Sequence, residues 1–459
     1  MEKFDLFIIV ASFLLIATFS IIESSRIKKE KTYLLYDRKT PFFALLATLV
    51  MTELNPAMLI SFSSVGYLGG FYGLWMPVIF LVGIGFYSFV VAKKYKRCNK
   101  TSICEILSEK YGSDIGKIAS AVLIFAMIGF CSTYIKSLLL IFKPFFPFQT
   151  DWKLSLILVA LVLLMTLRGG LFSIIRVDII TFILTLIFFP IFLYVAMQSF
   201  HHLDLETYTH VFANTAGQSP PFAFIFSLIV LTCFTYILAP WYGQKIFSAK
   251  TPKIAFLAAF FASIVVFFLY SIGVLLASLL KVKGAPLENI ELALPQAILI
   301  LLPAGLRGLG FLLLFFAGVT TLAGVWSAMS SMIMADFFVS NAKRSYKPSL
   351  WITSMFAMLS LVVSNIFVDS VFQKIILANV FVFSLSFALL GAFYWEKSSR
   401  IGALVSIFVG LFWGFFCFFY FGEKGMYTWY WAIFGVPLVF GSGITFSLLF
   451  PHRVEIQNT

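Results

Sequence analysis

Two carboxylates stand deep inside otherwise apolar stretches, Glu53 in the run 41–66 and Asp178 in the run 173–198. A charge placed in hydrocarbon costs about 3 kcal/mol or more, so a carboxylate there marks an ion or substrate path by default. Prolines interrupt two comparable runs: Glu53-Leu54-Asn55-Pro56 lies mid-run, and Pro240-Trp241-Tyr242-Gly243 ends the run 222–242. Proline lacks an N–H and displaces the carbonyl one turn earlier. A helix broken there frees carbonyl oxygens that can coordinate a hard cation. The plain alternative is a simple kink, which membrane helices tolerate. The sequence holds no phosphate loop, metal-ligand cluster or nucleophile–base pair, so an enzyme is not expected. His201, His202, His210 and His452 all fall outside the apolar runs, which removes a histidine proton relay and favours sodium over protons.

The elements that must position these groups follow from composition. Hydrophobic residues make up 61% of the 459 and charged residues 12%, about half the charged share of soluble domains, roughly 25%. A water-facing globule is excluded. The apolar runs are uniform rather than alternating, so helices and not barrel strands must span the bilayer. We expect about thirteen spans, approximately 5–24, 41–66, 69–92, 117–142, 153–168, 173–198, 222–242, 254–280, 305–338, 349–367, 372–395, 401–421 and 429–450. A short segment at 293–303 reads as re-entrant or capping.

The net charge of +13 clusters between spans, as the positive-inside rule expects of cytoplasmic loops, and not in a nucleic-acid-binding pattern. With the N-terminus outside, Arg26 to Lys39, Lys93 to Lys100, Lys245 to Lys253 and Lys343 to Lys347 all fall on the cytoplasmic side. The loop with His201, His202, Asp204 and Glu206 carries no Lys or Arg and falls outside. The first run has its basic cluster after it and no small-residue cleavage site, so it is expected to be a retained helix rather than a signal peptide. Five scattered cysteines suggest neither a disulfide framework nor a zinc site. The two proline-broken spans lie five apart and run in opposite directions, the relation of equivalent helices in an inverted repeat.

Several segments, in order, resemble the sodium/solute symporter family, which includes sodium/proline, sodium/galactose and sialic acid symporters. They are Tyr33-Leu34-Leu35-Tyr36-Asp37-Arg38 leading to Met51-Thr52-Glu53-Leu54-Asn55-Pro56-Ala57; Thr101-Ser102-Ile103-Cys104-Glu105 with Lys110-Tyr111-Gly112; Gly169-Gly170-Leu171 with Arg176-Val177-Asp178; and Gln244-Lys245-Ile246-Phe247-Ser248-Ala249-Lys250. The most specific stretch is Leu294-Pro295, Leu302-Pro303-Ala304-Gly305-Leu306-Arg307-Gly308-Leu309 and Ala317-Gly318-Val319-Thr320-Thr321. The resemblance implies an all-α, leucine-transporter-like fold of five plus five helices in one transmembrane domain. The first repeat would be 41–198 and the second 222–395, with an extra helix at 5–24 and two more across 401–450.

It also implies a site. Sodium would be held by the carbonyls of Met51, Leu54 and Ala317 and the hydroxyls of Thr320 and Thr321, where the family usually has serines. The plain alternative for such threonines is a bond back to their own helix. Glu53 aligns with an acidic position of the proline symporters and Asp178 with the family aspartate on the inward sodium path, so both would supply negative field. Some relatives bind a second sodium two and three residues past the last ligand; Ala323 and Gly324 stand there, so one sodium per cycle is expected. The solute pocket would draw on Asn55, Ala57, Met58, Phe130, Tyr134, Thr235, Tyr236, Asn379 and Phe383, although aromatics at 18% of the chain mostly pack. Pro56 and Met58 replace polar side chains of sugar-binding relatives.

The expected function is sodium-coupled symport of a small organic solute across the cell membrane by alternating access, with the C-terminus cytoplasmic. Sodium is the coupling ion; a solute and the bilayer are the partners, with no nucleic acid and no protein partner expected. The alternatives are a proton-coupled or uncoupled transporter of the same fold, or a transporter-like sensor, which the short tail after Phe450 argues against.

Overall fold

A computed structural model describes residues 38–98, 100, 102–146, 148–166, 170–200, 219–338, 347–423 and 426–451, together with Asp5, Tyr208 and 210–212. The expected helix 5–24 (apart from Asp5), the acidic loop 201–206 and the basic cluster at 343–344 lie outside the described residues. The described residues are helical with no strand, and each apolar run from 41 onward falls on a helix. In chain order these are α1 (Phe42–Glu53), α2 (Pro56–Gly69), α3 (Trp75–Tyr87), α4 (Ile103–Tyr111), α5 (Ser113–Phe142), α6 (Asp151–Thr166), α7 (Gly170–Gln198), α8 (Phe222–Tyr236) and α9 (Pro240–Ser248). They continue with α10 (Pro252–Val282), α11 (Ala293–Leu301), α12 (Leu306–Asp336), α13 (Lys347–Phe367), α14 (Val371–Ser384), α15 (Ser386–Tyr394), α16 (Arg400–Phe421) and α17 (Tyr427–Leu449).

Among the described residues, nine helical segments are long and apolar enough to cross a membrane, and the bent pair α8–α9 makes a tenth. Three expected spans have no separate counterpart in that count. The run 5–24, apart from Asp5, lies outside the described residues, α6 has only 16 residues, and, with the 12-residue α1 broken off before it, α2 runs by short turns through α3 to Cys98 as one 43-residue segment. A straight helix of that length would measure about 65 Å against about 47 Å for a 31-residue helix. Both α2 and α3 pack along the 31-residue α10, so the chain doubles back between them, at Gly70 with its φ of 57°.

Local sequence sets the helix starts. Asn55, Thr251 and Ser399 each accept a backbone N–H from the first turn they precede, and Pro56 and Pro252 occupy first helical positions where no N–H is needed. α12 is buried on every side from Gly310 to Met332, so it is the central post, packed by α1, α5, α7 and α13. Gly66 lets α2 lie against α10, because a Cβ there would collide with the Val274 backbone carbonyl. Outward, α16 exposes Phe408, Phe412, Phe419 and Tyr420, an apolar face suited to lipid.

Candidate functional site

Both expected breaks are present. α1 ends at Glu53, Leu54 turns out of helical geometry, and Asn55 restarts the chain as the cap of α2. α8 ends at Tyr236 and α9 begins at Pro240, with a 49° bend between them. The carbonyl freed at Ile237 accepts the Tyr95 hydroxyl, and Tyr242 on α9 donates to Leu49 O at 3.3 Å.

Where α1 crosses α12, four of the five expected cation ligands converge. Thr320 Oγ1 lies 3.3 Å from Met51 O and 3.4 Å from Ala317 O. Thr321 Oγ1 lies 3.4 Å from Met51 O, 3.2 Å from Thr52 O and 2.8 Å from Ala317 O. The 2.8 Å contact is the usual bond of a helical threonine to its own preceding turn. The carbonyls of α1 are what that habit does not explain: oxygens from two helices face one another in a fully buried place. Leu54, the fifth, sits at the break itself.

Immediately beyond, Thr52 joins this cradle to a second polar cluster. The Thr52 hydroxyl accepts from the Lys245 ammonium, which also donates to Thr48 O at 2.9 Å and to Asp178 Oδ2 at 3.2 Å. Thr48 donates its hydroxyl to the same carboxylate oxygen, and the Lys245 and Asp178 side chains are fully buried. Charge placement alone assigns Lys245 to a cytoplasmic loop. Instead α9 is buried from end to end, and its lysine is the counter-ion of Asp178.

Glu53 points elsewhere. Its carboxyl lies beside Tyr236 at the second break, while Oε1 has no protein donor among the described residues. Its backbone carbonyl accepts from Tyr270 at 2.5 Å and from Asn55 Nδ2 at 3.0 Å. Glu53 therefore sits between the two breaks.

Beside the breaks lies a space of about 40 Å³ between α2, α3, α8, α14 and α17, room for little more than a water molecule, at roughly 30 Å³ each. Of the expected solute residues, Met58, Thr235 and Asn379 line it, with Phe62, Phe80, Leu228, Thr232, Phe372, Ile376 and Trp431. Asn379 Nδ2 donates to Ile375 O at 2.9 Å, leaving Oδ1 to accept. The other expected residues are engaged outside it. Asn55 accepts from Met58 N at 2.8 Å as a cap, Phe130 meets the Trp241 ring, Tyr236 packs edge-on against Phe80 and Tyr242 beside Glu53 and Phe383 packs on Phe234 and Trp431. Ala57 and Tyr134 are buried but do not line the space. Leu228-Thr232-Thr235 and Phe372-Ile376-Asn379 follow the i, i+4, i+7 spacing of a single helix face, a signal available in the sequence but hidden among equally spaced packing residues.

Above this space, on the face away from Lys93–Lys100, a vestibule of about 350 Å³ is lined by Ser61, Ser64, Glu291, Phe372, Gln373 and Glu423 among others. Phe372 lines both, its ring edge against Phe224 at 5.9 Å. Glu291 Oε1 accepts from Val371 N at 2.9 Å and so caps α14. Burial raises the Glu291 carboxyl above its ordinary 4.5, opposed by its hydrogen bonds to Val371, Phe372 and Ser370 and by Lys136. The folded state thus binds this proton more tightly than the unfolded state. The resulting penalty is absent below the ordinary value and complete above the raised one. Glu291→Gln should therefore gain stability over wild type as pH rises above the ordinary 4.5 and through the raised value. Parallel unfolding curves of the two proteins across that range would contradict the assignment.

The basic face is sealed more heavily. Thr40 N donates to Ser248 O at 3.0 Å and Lys250 N to Thr40 O at 2.9 Å. Lys96 reaches Phe247 O at 3.0 Å and Lys94 reaches Phe393 O at 2.8 Å.

Comparison with known proteins matches residues 33–410 to the model of the sodium:solute symporter family. Sodium/glucose cotransporter 4 of Danio rerio is 21% identical over 470 aligned positions, covering 90% of this chain and 71% of the relative. A sodium-coupled sialic acid symporter, solved substrate-bound and outward-open, superposes with a TM-score of 0.81 at 16% identity, covering 99% of this chain and all of that one. A manganese transporter of Eremococcus coleocola superposes with a TM-score of 0.55 at 12% identity, covering 93% of this chain and 98% of that one.

Proposed function

This chain belongs to the sodium:solute symporter family, a multi-pass membrane transporter of leucine-transporter-like fold that couples sodium to the movement of a small solute, and we propose that one sodium ion and one solute cross together by alternating access. The observation that carries the proposal is the convergence of Met51 O, Ala317 O, Thr320 Oγ1 and Thr321 Oγ1 beside the Leu54 break. Hydroxyl and carbonyl oxygens are the ligands a hard monovalent cation takes, and irregular backbone at membrane depth is where such ions are held. Sodium in this cradle would draw α1 and α12 together and fix the break, ordering the adjacent solute space.

Charge placement supports the orientation. The basic face is the cytoplasmic one of the cell membrane. Asp5 accepts from Gly305 N at 2.7 Å and Gly308 N at 3.1 Å, at the end of α12 far from the basic loops, which favours an outside N-terminus and a cytoplasmic C-terminus. The repeats would be 41–198 and 222–395, rocking about the breaks. With a vestibule on the outer side and a latched inner side, this is the outward-facing part of the cycle. Glu53 would add negative field at the breaks, and Asp178, matched by Lys245, would lie on the inward route. A potential of 100 mV adds about 2.3 kcal/mol per charge moved, enough for roughly fiftyfold accumulation.

The solute space is mostly apolar, with Thr232, Thr235 and Asn379 as its polar groups, which suits an apolar-bodied amino acid or carboxylate better than a sugar. The test is uptake into proteoliposomes across amino acids, carboxylates, sugars and nucleobases, with and without a sodium gradient. Sodium-driven uptake of an apolar solute is expected, and preference for a sugar would overturn the substrate reading. For the solute found, Asn379→Ala should raise the solute KM about tenfold, the value of one hydrogen bond of roughly 1.4 kcal/mol. The sodium dependence should be unchanged. An unaltered KM would remove Asn379 from the site.

A further inference from the structure

We propose that the Lys245 ammonium is a tethered monovalent cation, seated in an oxygen cage that otherwise takes a second sodium ion, and that it thereby holds this transporter to one. The inference rests on the sodium cradle proposed above.

The cage offers three kinds of oxygen: the Thr48 carbonyl at 2.9 Å, the Thr52 hydroxyl and the Asp178 carboxylate at 3.2 Å. This is the oxygen set of a sodium site, filled by nitrogen. It adjoins the cradle through one residue, since Thr52 O receives the Thr321 hydroxyl at 3.2 Å while the Thr52 side chain receives the ammonium. Across from it α12 carries Ala323 and Gly324. A Cβ built at Gly324 would lie 3.9 Å from Lys245 Nζ and 3.7 Å from Thr52 Oγ1, so the ammonium is seated against a glycine of α12 that offers it no side-chain oxygen. Asp178 Oδ1 is buried with no donor among the described residues, which leaves the cage a further ligand atom. Its single negative charge is balanced by a single positive one. While lysine supplies that charge, sodium has no reason to enter, because a second cation would sit beside the first with no carboxylate left to match it.

A merely structural ion pair predicts that removing the lysine weakens the fold and adds no ion. A tethered cation predicts that removing it admits one. Equilibrium binding of ²²Na⁺ to the purified full-length protein separates the two. Wild type should bind about one ion per chain, Lys245→Ala about two, and Lys245→Ala with Asp178→Asn about one again. Lys245→Arg, which keeps the charge, should stay at one. Lys245→Ser, which leaves a hydroxyl in the cage, should also bind two and replaces the alanine variant if that does not fold. One ion in the folded lysine-less variants, or two in wild type, overturns the inference while leaving the cradle standing. No sodium bound by any of them overturns the cradle itself.

Discussion

Replacing Thr321 with valine is expected to weaken sodium activation of transport by roughly ten- to hundredfold, while leaving the folded protein intact. Valine keeps the branched shape and volume but removes the oxygen that lies within 3.4 Å of Met51 O, Thr52 O and Ala317 O. An interaction with a charged partner is worth about 1.5–3 kcal/mol net, which is the affinity loss quoted. The threonine's bond to its own helix goes as well, but Ala317 O stays in the helical ladder, so stability should change little. Thr321→Ser restores the oxygen and should restore most of the sodium affinity. The measurement is the sodium concentration giving half-maximal uptake. If valine and serine behaved alike, the hydroxyl would not be a ligand, and the cradle would be only a pair of helix-bonded threonines.

The second large effect concerns the buried pair. In sodium-free buffer, Asp178→Asn should destabilise the protein by about 3–5 kcal/mol, the usual result of leaving one buried charge without its partner. The ammonium would keep Thr48 O and Thr52 Oγ1 but lose the carboxylate it meets at 3.2 Å. Pairing that change with Lys245→Met removes both charges and should return most of the loss, because a buried ion pair is often no more stabilising than apolar groups of similar volume. Denaturant titration in detergent, read as a double-mutant cycle, gives the coupling. If the double variant were as unstable as the sum of the singles, Lys245 and Asp178 would not act as a pair.

The architecture was readable because lipid leaves the backbone few choices. Apolar length and proline placement locate the spans and both breaks, and these depend on neighbours along the chain. Lys245 shows where that logic stops. A cation five residues past Pro240 looks like a loop residue when charges serve as loop markers, yet its partners Thr48 and Asp178 lie 197 and 67 residues away. Only the packing of α9 on α1, with the lysine reaching across to α7, makes them neighbours. Asn55 is the opposite case, since its part as a helix cap is local and legible. An asparagine directly before a proline has the signature of a helix cap, and the cap uses the side chain that the solute reading wanted. Trp431 was out of reach, because nothing in a peripheral apolar run announces that it will wall the central space.

In the alternating-access cycle proposed above, the two faces of the molecule would set different clocks. Phe372 is half-buried and lines both vestibule and inner space, whereas the basic face carries the Thr40–Ser248–Lys250 backbone bridge with Lys96 on Phe247, which opens only when helices part. Packed helices shift in microseconds to milliseconds, slower than a side chain changes rotamer. Solute would then sample the pocket from the vestibule several times before each crossing, and the bridged face would govern turnover.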